Sequence, residues 1–161
     1  MAKTYTKLIY HIVFSTKERA PLITEEIRDR LYEYFGGVIR GERGSVLEIG
    51  GVADHVHILA RFGAAVAVSE MVQRIKGSSS HWMNARPESW FAWQNGYGAF
   101  TVSESQVATL RRYIRHQEEH HKHLPYKDEL ISLLRKHQID EQTQKDVLAI
   151  AYSLKGDILR L

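Results

Sequence analysis

The stretch GGVADHVHILARF (residues 50–62) places His55 and His57 one residue apart inside an apolar run. In a strand, side chains two apart share a face, so both imidazoles project together while Val56 and Ile58 pack behind. Such a pair suits one divalent cation. It equally suits two ordinary strand histidines bonded to their neighbours. The chain has no cysteine, which excludes disulfides and thiolate metal sites, so any metal must be held by imidazole, carboxylate or amide oxygen.

A second group of reactive side chains lies in LRRYIRHQEEHH, residues 110–121. At about 100° per residue, Val107, Leu110, Ile114 and His121 form the stripe that would pack on a sheet. Tyr113 and Gln117 stand four apart and share a face at the border of that stripe, where a phenol and an amide can lean over a sheet edge. A tyrosine on a helix flank also serves as core padding. His116 and His120 form another pair four apart, suited to zinc, and His120 lies on the Tyr113 side, where it can replace or assist Gln117. A solvated histidine run accounts for the others.

Further residues suit a polyanion. Lys76 with Ser78, Ser79 and Ser80 offers charge and hydroxyls for phosphate contact. Arg111, Arg112 and Arg115 flank Tyr113 and are equally explicable as helix-surface charge. Tyr97, Trp90 and Trp93 could stack unpaired bases, with core packing the alternative for at least one tryptophan.

These residues need elements to position them. Residues 7–16 (KLIYHIVFST) are β-branched and aromatic, and Pro21 closes the strand. Thr24 is placed to cap a helix with Glu25 and Glu26 in its first turn and Ile27, Leu31, Phe35 and Val38 at helical spacing, ending by Gly41 and Gly44. Residues 45–52 and 55–62 read as two strands joined by Ala53-Asp54. Ser69 can cap a second helix with Met71, Val72, Ile75 and Met83 on its apolar side. Pro87 and WFAWQNGYG form a loop, with a turn at Asn95-Gly96. A short strand at 99–103 and a third helix from Ser105 to about His123 follow.

That order predicts an α+β, ferredoxin-like split βαβ fold: an antiparallel sheet of four to five strands with helices on one face, the other left free. A domain boundary is expected near 124, with residues 125–161 a helical extension packing on the same domain or on a dimer partner. The extension holds a short helix near 129–137 and a last one from about Glu141. Asp140 would cap the last helix, and Val147, Ile150, Ala151, Leu154 and Ile158 form its apolar stripe.

Several segments resemble one family: YHIVFSTKERAPLI at the start, GGVADHVHIL, KGSSS, WQNGYGAFTVS and YIRHQEEHHK. HxH on a strand with Tyr-x-x-x-Gln on the helix after the fourth strand is similar to the HUH single-tyrosine transposases of small bacterial insertion sequences, and more narrowly to the IS200-like group. The resemblance covers about residues 5–137. The tail beyond it departs from the usual short ending.

The resemblance implies that His55, His57 and Gln117 bind one divalent metal and that Tyr113 attacks a phosphodiester in single-stranded DNA. The product would be a 5′-phosphotyrosine linkage and a free 3′-hydroxyl, with strands exchanged without a nucleotide cofactor. Two imidazoles and an amide oxygen favour Mn²⁺ over Mg²⁺, and the family works with either. It also implies DNA hairpins near element ends as partners, Lys17 and Arg19 as hairpin contacts, and a homodimer. Two other readings stay open: a domesticated relative that processes repeated extragenic palindromes, and a non-catalytic nucleic-acid-binding module.

The composition is compatible with these expectations. Lys and Arg number 22 against 19 Asp and Glu, for a net charge of +3. The surplus lies within residues 1–123, beside the histidine pair, and permits a polyanion partner without demanding one. No apolar run approaches the roughly 20 residues that span a bilayer. The N-terminus lacks a small-residue cleavage site after its apolar stretch, so no signal peptide is expected, and the resemblance implies a bacterial cytoplasmic protein, at the nucleoid while acting.

Overall fold

The computed structural model describes residues 3–140 and 142–146. The elements are β1 (Leu8–Ser15), α1 (Glu25–Gly41), β2 (Ser45–Val52), β3 (His55–Phe62), α2 (Val68–Met83), β4 (Gly98–Thr101), α3 (Val107–Arg115), the single turn α4 (Gln117–His120) and α5 (Tyr126–Lys136). They fall into two compact units, Met1–Gln117 and Glu118–Leu161.

In the first unit four strands form one sheet in the order β2-β3-β1-β4, and every neighbouring pair is antiparallel. β3 is inserted between β1 and β2, the two strands that α1 connects; this is the expected split βαβ order. Strand parity then sorts the side chains. Ile12, Phe14, Val56, Ile58, Ala60 and Phe62 are buried with Leu31, Phe35 and Ile39 of α1 and Met71, Val72 and Ile75 of α2. Each such aliphatic side chain contributes about 1.5–3 kcal/mol by leaving water.

The opposite parity faces the other way. There Ile9 and Leu59 are buried with Ile114 of α3, flanked by Leu47, Val107, Leu110 and Tyr113. Helices were expected on one face only; instead α3 covers part of the second. The cause is its own stripe, since Val107, Leu110 and Ile114 need an apolar partner and Ile9, Leu47 and Leu59 supply one. Gly50 of β2 permits the close approach, because a Cβ there would collide with the Ile114 carbonyl.

The third helix also differs from expectation. It breaks at His116 (φ −104°, ψ 28°) instead of running to about His123. The His116 amide and its ring Nδ1 both donate to the Arg112 carbonyl, at 3.2 and 2.7 Å, a local bond that competes with continuation of the ladder. At α2 the cap position belongs to Ala67, and Ser69 lies inside the first turn.

In the second unit Pro125 precedes α5, which buries Glu129 and Leu134. Asp140 caps the next helical turn, accepting from the Thr143 amide and hydroxyl, each at 2.8 Å. The stripe expected from Val147 to Ile158 lies outside the described residues. Among the described residues no helix is long and apolar enough to cross a membrane.

Candidate metal and nucleophile site

The two histidines of β3 are fully buried. His55 pairs across the sheet with Ser15 and Val52, and His57 with Val13 and Gly50, so strands on both sides fix their backbones. Their rings lie 5.2 Å apart between centroids, at 71°. Each ring is engaged at Nδ1. His55 Nδ1 is 2.7 Å from Asp54 Oδ1, and His57 Nδ1 is 2.8 Å from Nε2 of the buried His11. The nitrogen each would present to a metal is therefore Nε2.

Gln117 and Tyr113 both reach this pair, despite the break between them. Gln117 is buried, with Oε1 3.3 Å from His55 Nε2. The half-buried Tyr113 ring meets His57 edge-on, 5.8 Å between centroids with the planes at 87°. A separation of 3.3 Å between two donor atoms is what adjacent ligands show on a cation with bonds of about 2.1 Å. By donor type, two imidazoles and an amide oxygen fit a divalent ion such as Mn²⁺.

The remaining candidates separate by burial and bonding. Lys17 and Arg19 lie exposed in the short turn after β1, where Arg19 Nε is 3.8 Å from Asp54 Oδ2. Lys76 is half-buried, and its ammonium donates to the Gln94 and Gly96 carbonyls at 2.7 and 2.8 Å. Burial holds its pKa below the ordinary 10.5. Ser78 Oγ donates to the Arg74 carbonyl. Ser79 must be withdrawn as a phosphate contact, because it is fully buried and accepts the indole N–H of Trp93 at 3.0 Å. Trp93 is thus core, whereas Trp90 and Tyr97 are exposed.

Around Tyr113, Arg115 and Arg111 reach Glu48 of β2 at 2.9 and 3.5 Å, tying α3 to the sheet, and Arg112 is exposed. The alternative zinc pair does not assemble: the His116 ring is turned to its own helix, while His120 Nε2 is 3.1 Å from Glu129 Oε2. His121, expected on the α3 stripe, meets the same oxygen at 3.2 Å. Metal-capable side chains thus occur in each unit, His55 and His57 in the first and His121 and Glu129 in the second.

Sequence reasoning missed Asp54, His11 and Glu129. Asp54 reads as a turn residue, although its place directly before HxH was a usable signal. His11 reads as strand filler, yet an imidazole between Tyr10 and Ile12 in an apolar strand requires a polar partner. Glu129 carries no sign of burial in its local pattern.

Comparison with known proteins follows this geometry. Residues 4–117 match the family model described as "Transposase IS200 like". The chain is 26% identical over 120 residues to the ISDra2 transposase TnpA of Deinococcus radiodurans, spanning 70% of this chain and 86% of that protein. It is 28% identical over 129 residues to the transposase for insertion sequence element IS200 of Salmonella typhimurium, spanning 76% and 84%. A solved chain from Deinococcus radiodurans R1 superposes with a TM-score of 0.57 at 25% identity, over 73% of this chain and 98% of the other. The REP-associated tyrosine transposase bound to a REP hairpin shares the fold, with a TM-score of 0.53 at 15% identity, over 71% and 68%. A family model that spans the whole sheet together with Tyr113 and Gln117 leads to one conclusion: the chain belongs to the IS200-like transposases.

Proposed function

We propose that this transposase cuts and rejoins single-stranded DNA through a covalent 5′-phosphotyrosine at Tyr113. The observation that carries the reading is the edge-on meeting of the Tyr113 and His57 rings within one chain. Family membership and the 3.3 Å approach of Gln117 to His55 support it.

His55, His57 and Gln117 would hold one Mn²⁺ or Mg²⁺, which when bound offsets phosphodiester charge and eases ionisation of a phenol whose ordinary pKa is about 10. Tyr113 Oη attacks the phosphorus, an Oη–P bond forms and the P–O3′ bond breaks. The phenol gives up a proton and the departing 3′ oxygen gains one. The phosphodiester count is unchanged, so a different 3′-hydroxyl can attack the tyrosyl ester and restore the phenol without an energy source.

For substrate we propose hairpin-bearing single strands near element ends. Exposed Lys17, Arg19 and Arg112 are suited to backbone phosphates, and exposed Trp90 and Tyr97 to unpaired bases. A homodimer acting at the bacterial nucleoid is the assembly and place that membership suggests. Tyr113 lies beside His57 of its own chain, which supports attack by each copy's own tyrosine.

The test is an end-labelled hairpin substrate incubated with the protein and Mn²⁺. Site-specific cleavage, lost in EDTA and in His57→Ala while hairpin binding persists, is the expected result. Cleavage that survives EDTA would remove the metal from the mechanism. Hairpin binding with no cleavage under any condition would favour a non-catalytic binding module.

A further inference from the structure

We infer that His11 is a positioning residue for His57: it accepts a hydrogen bond from His57 Nδ1–H and so reserves Nε2 of that ring for a divalent cation. This rests on the reading of His55 and His57 as a metal pair. His11 Nε2 and His57 Nδ1 are 2.8 Å apart and both residues are buried. The bond can run in two directions with opposite consequences. If His11 donates, a neutral His57 carries its proton on Nε2 and cannot ligate there. If His57 donates, Nε2 keeps its lone pair.

Three features point to the second direction. For the neighbouring ligand a carboxyl group takes the corresponding place, Asp54 Oδ1 lying 2.7 Å from His55 Nδ1, where a carboxylate oxygen would accept from the ring. His11 is the counterpart of Asp54 for the second ligand. The rings of His11 and His57 are stacked at 21° with centroids 5.1 Å apart, and Phe100 closes on His11 at 6.1 Å. The sheet register, which sets Leu59 opposite His11 and Val13 opposite His57, brings the two rings to the same place. Finally, an imidazole acceptor in this place orients the ligand without adding a second carboxylate where an anionic phosphodiester must approach.

The test uses the full chain, free of metal and labelled with ¹⁵N. Long-range ¹H–¹⁵N correlations report which ring nitrogen of His57 carries the proton, and electron paramagnetic resonance of free Mn²⁺ reports affinity. In the unaltered protein the proton is expected on Nδ1. His11→Leu should move it to Nε2 and weaken Mn²⁺ binding by about 10–100-fold. His11→Gln, whose amide oxygen can take the place of the ring nitrogen, should keep the proton on Nδ1 and recover most of the affinity. A proton on Nε2 in the unaltered protein, or unchanged Mn²⁺ affinity in a folded His11→Leu, would overturn the inference. Should His11→Leu fail to fold, the unaltered protein's tautomer and the Gln variant still decide. An unaltered chain that binds no Mn²⁺ would instead defeat the metal-pair reading itself.

Discussion

The Tyr113 ring stands edge-on to His57 in the same chain, with centroids 5.8 Å apart and planes at 87°. Two neighbouring anchors hold it. Ile114 is buried against Ile9 and Leu59, and Arg115 reaches Glu48 at 2.9 Å. In the proposed role of nucleophile, a phenol carried on a short helix clamped to a sheet would lose little orientational freedom when substrate arrives.

Tyr113→Phe keeps the ring against His57 and removes only the hydroxyl. Mn²⁺ affinity should remain within about twofold, while strand cleavage falls at least about a thousandfold, as expected when a nucleophile acting in concert with its site is removed. Titration and single-turnover cleavage measure the two effects. Equal loss of both would mean that the hydroxyl supports the metal site instead of attacking the strand.

Gly50→Ala should act on the chemistry from behind. The new Cβ would fall on the Ile114 carbonyl, so α3 must lift away from β2 and carry Tyr113 with it. A cost of about 1–3 kcal/mol is expected from such overpacking, with cleavage reduced further than the stability loss explains. Denaturant melts beside single-turnover rates check this.

Lys76→Met should loosen the 94–96 loop. The variant leaves the Gln94 and Gly96 carbonyls without the ammonium that now holds them at 2.7 and 2.8 Å. Destabilisation of about 1–2 kcal/mol is expected, together with faster proteolysis near Asn95. Hairpin affinity that drops sharply without any loss of stability would instead make Lys76 a phosphate contact.

How much of this was legible follows from what each signal encodes. The hairpin of 45–52 and 55–62 was read at its observed ends, because β-branched runs flanking Ala53-Asp54 are a local pattern. The α3 stripe was legible too. Its partner was not, since nothing local says that Ile9, Leu47 and Leu59 lack cover. Helical spacing placed Tyr113 and Gln117 together but is blind to a side chain bonding its own backbone, so the break at His116 was missed. His11 escaped notice because its bond to His57 crosses 46 positions and exists only once β1 and β3 are in register.

Asp140 offers a pH test in the second unit. Bonds from the Thr143 amide and hydroxyl hold its carboxyl below the ordinary 3.8. A depressed carboxyl stabilises the fold above the unfolded value, and that contribution is lost as pH falls through the folded one. The turn at 142–146 should therefore be capped at neutral pH and fray below about 3.8. Asp140→Asn should show a weaker cap that does not depend on pH. Thr143 amide exchange reads both.

The most direct measurement is to trap the protein on a hairpin-bearing single strand with Mn²⁺, digest the covalent product and locate the nucleotide by mass spectrometry. The expected result is a 5′-phosphate ester on the peptide that contains Tyr113. An adduct on any other side chain, or efficient cleavage with no protein–DNA linkage at all, would contradict the account.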